Sequence, residues 1–267
     1  METDTDDTTT PEAIRAMHSV EGRVIIVTGS GQGVGRGMAN HLAKAGASIV
    51  VAEWNAEKMR RTVAELEAIG VEALGVETNI MERADLDHMV AATVERFGRV
   101  DGIINNAQTF RANAPMAEVS ADDVDVFYRS GVLGTLGAMQ AVYPHMKAQQ
   151  WGRIVNFASS MGITGGTGFA AYNASKEAIR ALTRTAAREW GSDGIVVNAI
   201  APAAATHHGE AGKQSEGYRI FIENCPMGRQ GDPETDIGPL AWFLCSDATR
   251  YLTGHTFMAD GGAFMWA

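Results

Sequence analysis

Three side chains in the second half of the sequence have the types and spacing needed to move a proton. Tyr172 and Lys176 lie four residues apart in Tyr-Asn-Ala-Ser-Lys, which puts both on one face of a helix. A phenol has an ordinary pKa of about 10 and a neighbouring ammonium favours its phenolate, so the pair could act as general base or acid near neutral pH. Ser159, 13 residues before Tyr172, could hold a carbonyl or alcohol oxygen. By itself such a pair is more often an exposed feature of a helix surface.

A glycine-rich segment near the N-terminus is typical of a dinucleotide site. Thr28–Gly35 reads Thr-Gly-Ser-Gly-Gln-Gly-Val-Gly, follows a β-branched run and leads into a segment with helical periodicity. Glycines let the backbone turn sharply and approach a pyrophosphate, and a helix N-terminus offers N–H groups with partial positive charge. The alternative is a glycine-rich turn without a ligand.

The residue Glu53 favours NAD over NADP. It ends the second predicted strand, 18 residues after Gly35. A carboxylate there can accept hydrogen bonds from the adenosine ribose hydroxyls and would repel a 2′-phosphate. No Arg or Lys lies within the glycine loop or directly after Glu53 to attract that phosphate. The alternative is an ordinary charge at a strand end.

The elements that must position these residues alternate regularly along the chain. Five short apolar runs predict strands at Val24–Thr28, Ser48–Ala52, Gly102–Ile104, Arg153–Phe157 and Ile195–Ile200. Segments with helical spacing separate them, and Asn55 and Gly70 are expected to begin and end one such helix. Strands that are apolar throughout belong to a parallel sheet covered on both faces. We therefore expect one doubly wound α/β domain over residues 21–267, with about seven strands, after a flexible tail or loosely docked lead-in at residues 1–20.

The composition excludes several classes of partner. Lys and Arg number 22 against 32 Asp and Glu, a net charge of −10, which argues against nucleic acid and anionic membranes. The first residues lack the basic and apolar regions of a signal peptide, and no apolar run reaches the roughly 20 residues of a bilayer span. Cys225 and Cys245 are too few for a disulfide framework. We expect a cytoplasmic protein without membrane partners.

Together these residues resemble the short-chain dehydrogenases/reductases in their compact, Rossmann-type form, from Gly22 to Gly262. The motifs that carry the resemblance are Thr28–Gly35, Asn-Asn-Ala at Asn105–Ala107, Ser159, Tyr172-x-x-x-Lys176, Asn198 with Pro202, Phe243–Asp247, Tyr251–Gly254 and Asp260–Gly262. Several motifs in the family's order make a chance match negligible.

The resemblance implies a role for each matching residue. Tyr172 would exchange the substrate proton, Lys176 would lower the pKa of Tyr172 and bind the nicotinamide ribose, and Ser159 would orient the substrate oxygen. The implied cofactor contacts are Gly29, Gln32, Gly33, Val34 and Gly35 at the pyrophosphate and ribose, Glu53 at the adenosine ribose, Asn79 and Ile80 beside adenine, Asn106 and Ala107 along the cofactor, and Pro202 and Thr206 at the nicotinamide end.

The largest departure from the family pattern is Gly131, which stands where the family has an asparagine that holds a water linking the lysine to solvent. Either a second water fills this space and uses the Gly131 carbonyl, or the chain binds its cofactor without rapid turnover. The first is favoured because Ser159, Tyr172 and Lys176 remain.

Three smaller departures concern the cofactor region. Gln108 replaces the glycine expected after Asn105–Ala107, and Asn79 replaces an aspartate. Ala203 follows Pro202 in place of glycine, and Thr206 stands one residue earlier than usual.

Residues 203–229 are expected to form the substrate lid. Their apolar side chains fit either a cyclic, terpenoid-like or steroid-like alcohol or simple packing of a lid helix. His207 and His208 have no carboxylate partner at ligand spacing, so no metal site is expected. The apolar chain end, Phe264 to Trp266, and the resemblance both favour a homotetramer.

The predicted function is NAD(H)-dependent interconversion of a secondary alcohol and a ketone, with Tyr172 as general acid/base. Two alternatives stay open at this point. One is an NAD-binding regulatory or scaffold protein with little turnover, supported by Gly131. The other is a dehydratase or epimerase with a tightly held cofactor.

Overall fold

Seven parallel strands form one sheet. The computed structural model describes residues 10–204 and 216–265. The strands are β1 (Val24–Thr28), β2 (Ser48–Glu53), β3 (Ala73–Glu77), β4 (Gly102–Asn105), β5 (Gly152–Phe157), β6 (Ile195–Pro202) and β7 (Thr256–Ala259). Their order in the sheet is β3-β2-β1-β4-β5-β6-β7, with every neighbouring pair parallel. This confirms the predicted doubly wound α/β class.

Helices cover both faces of the sheet. They are α1 (Pro11–His18), α2 (Gly33–Lys44), α3 (Ala56–Ile69), α4 (Arg83–Phe97), α5 (Ala121–Phe127), α6 (Gly134–Gln149), α7 (Ser160–Thr164), α8 (Ala170–Trp190), α9 (Glu216–Asn224) and α10 (Gly238–Cys245). The core on one face takes residues from α2, α3 and α10, and the core on the other takes residues from α4, α6 and α8. In the part of the chain that the structure describes, no helix combines the length and apolar character of a membrane span.

The central strand β1 explains why the predicted strands are apolar throughout. Ile25 and Val27 belong to the core on one face, and Val24 and Ile26 belong to the core on the other. Successive side chains of a strand point to opposite faces, so a strand covered on both sides needs an apolar residue at every position.

The predicted ends of helix α3 are confirmed. The Asn55 side chain accepts a hydrogen bond from the Lys58 backbone N–H at 2.9 Å, which caps the N-terminus. Gly70 follows the helix with φ of +96°, a left-handed conformation that glycine adopts without strain. Local hydrogen bonding and backbone conformation therefore define this helix at both termini.

Two edge strands and an N-terminal helix are among the elements that the sequence did not locate individually. Strands β3 and β7 lie at the two edges of the sheet and are only partly buried for most of their length, so their apolar signal is weak. Within the expected tail or lead-in, residues 11–18 form α1, and Val20 after it is fully buried in the core.

The strand order reverses direction between β1 and β4, and this opens a crevice at the carboxyl ends of the strands. Thr28, the last residue of β1, accepts hydrogen bonds on Oγ1 from the backbone N–H groups of Asn106 and Ala107, both at 3.1 Å. The glycine loop after β1 and the segment after β4 are thereby joined at the crevice.

Candidate active site

The glycine loop after β1 leaves no room for larger residues where it crosses the segment after β4. A Cβ on Gly35 would lie 2.4 Å from the Gly29 carbonyl oxygen. Gly29 itself has φ of +66°, and a Cβ there would lie 3.0 Å from Ala107. The Asn106 side chain donates to the Thr28 carbonyl at 2.9 Å, so this predicted cofactor residue also holds the loop in place.

Beyond this crossing, the loop leaves space at the N-terminus of α2. Gln32 precedes the helix and its side chain makes no capping hydrogen bond. A Cβ built on Gly33, where φ is +55°, would meet no atom within 4 Å. The open space above the first helical turn, with its N–H groups and positive dipole end, fits a dinucleotide diphosphate. Val34 lies in the same turn.

Glu53 is a buried carboxylate held by backbone donors at the end of β2. It is 7% exposed. One carboxylate oxygen accepts from the Gly31 N–H and the other from the Asn55 N–H, each at 3.1 Å. The position at the loop is the one expected for a residue that binds the adenosine ribose.

Helix α3 brings two cations to the same loop, which were not predicted from the sequence. Lys58 Nζ donates to Gln32 Oε1 at 2.7 Å, and Arg61 donates to the Gly31 carbonyl at 2.9 Å. The sequence-based preference for NAD takes account only of cations inside the loop or directly after Glu53. Both residues lie one to two helical turns further on, and the spacing of α3 turns them back toward the loop.

Asn79 and Ile80, expected beside adenine, follow β3 next to the end of β2. The Thr78 N–H donates to the Glu53 carbonyl at 3.1 Å, which fixes this neighbourhood. Asn79 accepts on its side-chain oxygen from the Met81 N–H at 3.1 Å, so its amide is engaged in the turn that leads to α4. Ile80 packs partly buried against the core.

Ser159, Tyr172 and Lys176 converge on one cavity at the carboxyl edge of the sheet. Ser159 follows β5, and Tyr172 and Lys176 come from the first two turns of α8. The Ser159 and Tyr172 side chains both line this cavity, and the Ser159 hydroxyl accepts a hydrogen bond from the Met161 backbone N–H at 3.2 Å. The cavity has a volume of about 200 Å³ and is lined by Asn106, Gln108, Thr109, Phe110, Phe157, Ala158, Ser159, Tyr172, Lys176 and Pro202.

Burial sets the electrostatics of the pair. Lys176 is 5% exposed, and its Nζ donates to the Phe157 carbonyl at 2.8 Å. Burial lowers the pKa of Lys176 to about 7, because the charged form loses its hydration. Lys176 Nζ lies 5.5 Å from the centre of the Tyr172 ring.

The expected lowering of the Tyr172 pKa was wrong for the protein without cofactor. Burial raises the pKa of Tyr172, and the nearby Ser159 hydroxyl opposes this rise without cancelling it. The reason is that desolvation penalises the phenolate and the ammonium alike. Each member of the pair is therefore shifted toward its neutral form.

Three phenylalanines surround the Tyr172 ring, and none of them was predicted as a site residue. Phe110, Phe127 and Phe169 have ring centres 5.9, 5.8 and 6.2 Å from that of Tyr172, each tilted by more than 60°. Phe110 is 60% exposed and forms the outer wall. Phe169 lies three residues before Tyr172 at the start of α8, a spacing that could have indicated this contact.

Two of the departures from the family pattern lie next to each other in the structure. They are Gly131 and Gln108. Gly131 lies in a π-helical turn at Tyr128–Leu133, and a Cβ there would lie 2.5 Å from Gln108 Nε2. The expectation that water fills the space at Gly131 was therefore wrong, because the amide of Gln108 fills it. Neither position by itself indicated this.

Some predicted residues of the nicotinamide end and the lid lie outside the described residues. Pro202 ends β6 and lines the cavity, whereas Thr206, His207 and His208 fall in the undescribed segment. Of the expected lid, the structure describes residues 203–204 and 216–229, including α9. Over residues 10–204 and 216–265, no three His, Cys, Asp or Glu side chains form a metal-binding group.

Comparisons with known proteins place the chain among oxidoreductases. A family model described as enoyl-(acyl carrier protein) reductase matches residues 29–263. A 12α-hydroxysteroid dehydrogenase from a Clostridium species is 38% identical over 251 residues, covering 91% of this chain and 96% of that protein. A 3-oxoacyl-(acyl-carrier-protein) reductase FabG from Staphylococcus epidermidis is 35% identical over 243 residues, covering 90% and 98%.

Solved structures show the same fold with either nicotinamide cofactor. An NAD⁺-bound xylitol dehydrogenase superposes with a TM-score of 0.84 at 32% identity, covering 91% of this chain and 99% of that one. A gluconate 5-dehydrogenase from Burkholderia cenocepacia, in complex with NADP and tartrate, has a TM-score of 0.87 at 30% identity, covering 93% and 97%. Both neighbours thus bind a nicotinamide cofactor, but only the cofactor of the gluconate 5-dehydrogenase carries a 2′-phosphate.

Proposed function

Because the chain belongs to the short-chain dehydrogenase/reductase family and is thus an oxidoreductase of alcohols or ketones, we propose that it interconverts a secondary alcohol and a ketone with NAD(H). The observation that carries this proposal is the meeting of Ser159, Tyr172 and Lys176 at one cavity beside the glycine loop. A buried acid/base group and an oxygen-binding hydroxyl are what carbonyl reduction requires of the protein.

In this proposal the side chains handle the oxygen and its proton. When bound, the nicotinamide supplies hydride chemistry, so that alcohol and NAD⁺ give ketone, NADH and one proton. Ser159 donates a hydrogen bond to the substrate oxygen and orients it toward Tyr172. During oxidation the Tyr172 phenolate takes the hydroxyl proton, and during reduction the phenol returns it. The charge of Lys176 stabilises the phenolate once a substrate is in place.

The buried Glu53 carboxylate supports NAD as the cofactor. Two backbone N–H groups hold it at the loop, so it is a fixed acceptor for ribose hydroxyls and a fixed negative charge against a 2′-phosphate. The nearby Lys58 and Arg61 are engaged by Gln32 and Gly31 in the described structure.

The aromatic wall supports an apolar, cyclic substrate. Phe110 lines the cavity that holds Ser159 and Tyr172 and is 60% exposed, so a substrate oxygen that reaches Tyr172 brings its carbon skeleton against this ring. Similarity to a hydroxysteroid dehydrogenase supports the same class. We propose a cyclic secondary alcohol of steroid-like or terpenoid-like character.

The test is a panel of secondary alcohols and their ketones, assayed with NAD(H) and NADP(H) in parallel. Tyr172→Phe is the blank, since it keeps the ring packing and removes the proton donor. We expect turnover with cyclic apolar alcohols to fall by about 10³-fold or more in this variant while cofactor binding persists. Absence of turnover in the wild-type protein across the panel would leave the non-catalytic NAD binder, and product without net cofactor oxidation or reduction would support a dehydratase or epimerase.

We further propose a cytoplasmic homotetramer. Cys225 and Cys245 are both buried and unpaired, as fits a reducing compartment. Met265 is 75% exposed at the apolar chain end, as fits a surface that a second subunit covers. Trp266, part of that predicted contact, lies outside the described residues.

A further inference from the structure

The side-chain amide of Gln108 joins two elements that meet at Tyr172. Gln108 Nε2 donates to Ser175 Oγ in α8 at 3.1 Å and to the Phe127 carbonyl at the end of α5 at 3.4 Å. The Ser175 hydroxyl in turn donates to the Tyr172 carbonyl at 2.8 Å. One chain of hydrogen bonds therefore runs from α5 through Gln108 to the first turn of α8.

The orientation of this amide follows from its partners. The Phe127 carbonyl accepts only, and the Ser175 hydroxyl gives its proton to Tyr172, so both need the NH₂ end of Gln108. The amide oxygen of Gln108 is consequently turned elsewhere, where it is buried without a partner among the described residues. An apolar side chain of similar length would avoid that cost, so the donors of Gln108, rather than its volume, account for an amide here.

Gly131 supplies the space for this amide. The three atoms nearest to a Cβ on Gly131 all belong to Gln108, with Nε2 at 2.5 Å. A side chain at position 131 would have to displace the amide from Ser175 and Phe127. The two positions lie 23 residues apart in the sequence, yet the residue at one decides what fits at the other.

From these contacts we propose that Gln108 is a positioning residue for Tyr172 and Lys176, and that position 131 is glycine because the Gln108 amide needs its space. The proposal deepens the dehydrogenase function and rests on it for its kinetic consequence. Tyr172 lies in the first turn of α8 and Lys176 in the second, so the hydrogen bonds through Ser175 hold the part of α8 that brings the phenol to the cavity shared with Ser159. Small displacements of an acid/base group are costly, because proton transfer needs hydrogen-bond distance.

The kinetic test compares Gln108→Met, Gly131→Asn and the exchange variant Gln108→Gly/Gly131→Asn. Methionine keeps the length of glutamine and removes its donors, and an asparagine at position 131 pushes the amide away, so each single variant should lower kcat about tenfold. KM should change by less than about twofold. In the exchange variant, the asparagine side chain at position 131 fills the space that the Gln108 side chain has left. The kcat should therefore return to within about threefold of wild type. An unchanged kcat in Gln108→Met, or an exchange variant no faster than Gly131→Asn, would overturn the proposal.

A second readout separates this proposal from the proposed function. The phenol of Tyr172 is titrated by ultraviolet absorbance in each variant without cofactor, with the matching Tyr172→Phe protein subtracted. We expect the raised pKa of Tyr172 to fall toward its ordinary value in Gln108→Met and to recover in the exchange variant, because a loosened α8 start admits water. If wild type has no turnover, the dehydrogenase proposal fails while this titration still decides the positioning; identical Tyr172 titrations in all variants refute it.

Discussion

Lys176 takes part in the proposed reaction, but the burial of its ammonium destabilises the folded protein. Its ammonium is buried, and burial lowers its pKa to about 7 from 10.5. A group whose pKa is lower in the folded than in the unfolded protein destabilises the fold while it is charged. This cost is complete below about pH 7 and shrinks as pH rises toward 10.5. At ~1.4 kcal/mol per pKa unit, it is on the order of 5 kcal/mol.

The first prediction concerns Lys176→Met, which keeps the chain length and removes the charge. With NAD(H) present the variant should lose activity, and without cofactor it should gain thermal stability relative to wild type, with a larger gain at about pH 6 than at about pH 9. Thermal unfolding followed by circular dichroism at both pH values measures this.

Lys147→Met is the matched control for the charge. Lys147 is exposed, and its hydrogen bond to the Tyr143 hydroxyl at 3.1 Å and its pairing with Asp193 at 3.3 Å raise its pKa. Its removal should give no stability gain at low pH, because a raised pKa favours the folded state there. A gain of equal size at both pH values for Lys176→Met would mean that burial of the ammonium does not shift its titration.

The second prediction concerns Glu53 and the choice of cofactor. Glu53→Ser removes the buried carboxylate and leaves Lys58 and Arg61 beside the loop. The ratio of kcat/KM for NADP over that for NAD should rise at least about tenfold, since repulsion of the 2′-phosphate is lost. Glu57→Ser, in the exposed first turn of α3, is the control and should leave the ratio unchanged. A wild-type preference for NADP would remove the basis of the prediction.

At the scale of elements, the site depends on how tightly α2 packs. Gly37 in α2 is buried, and a Cβ there would lie 2.5 Å from Pro233 Cβ and 2.6 Å from its carbonyl carbon. Pro233 begins a π-helical turn that runs to Ile237, so backbone opposes the added methyl group. The same helix carries the glycine loop at its N-terminus, and its position therefore fixes where a diphosphate can bind.

The third prediction is that Gly37→Ala destabilises the protein by about 1–3 kcal/mol, the usual cost of overpacking. Urea unfolding measures it, and the affinity for NAD should weaken as α2 shifts. Gly191→Ala is the matched control: Gly191 has helical φ of −58°, and a Cβ there would meet nothing within 4 Å. It should change stability by no more than about 0.5 kcal/mol. Equal changes in stability for the two substitutions would show that Pro233 moves away from the added methyl group without a cost in free energy.

At the scale of the whole molecule, two exposed apolar residues lie near the chain end. Met265 and Tyr251 are 75% and 96% exposed. In the proposed tetramer a second subunit covers these side chains near the edge strand β7.

The fourth prediction is that the purified protein sediments at four times its 28.4 kDa chain mass. Deleting residues 264–267 should shift it to a smaller species, because the apolar chain end is lost. Met116→Ser is the control. It removes an exposed apolar side chain before α5, away from the chain end, and should leave the assembly intact. Sedimentation of the full chain as a monomer alone would refute the tetramer.

The sequence by itself determined the parts of this protein that depend on short-range spacing. The strand–glycine loop–helix order, the caps Asn55 and Gly70, and the four-residue spacing of Tyr172 and Lys176 follow from backbone geometry over a few residues. Apolar runs identified the parallel sheet, because a strand covered on both faces needs an apolar residue at every position. The edge strands escaped individual prediction, because partial burial weakens that pattern.

Only the tertiary structure decided what depends on residues far apart in the chain. The aromatic wall around Tyr172, the cations of α3 at the glycine loop, and the shared space of Gln108 and Gly131 arise where separate elements meet. The direction of the Tyr172 pKa shift also depended on the tertiary structure. Charge type and spacing indicate an attraction to Lys176, whereas burial in the folded protein raises the pKa of Tyr172. Packing creates the dielectric environment and the contacts, and a linear pattern contains neither.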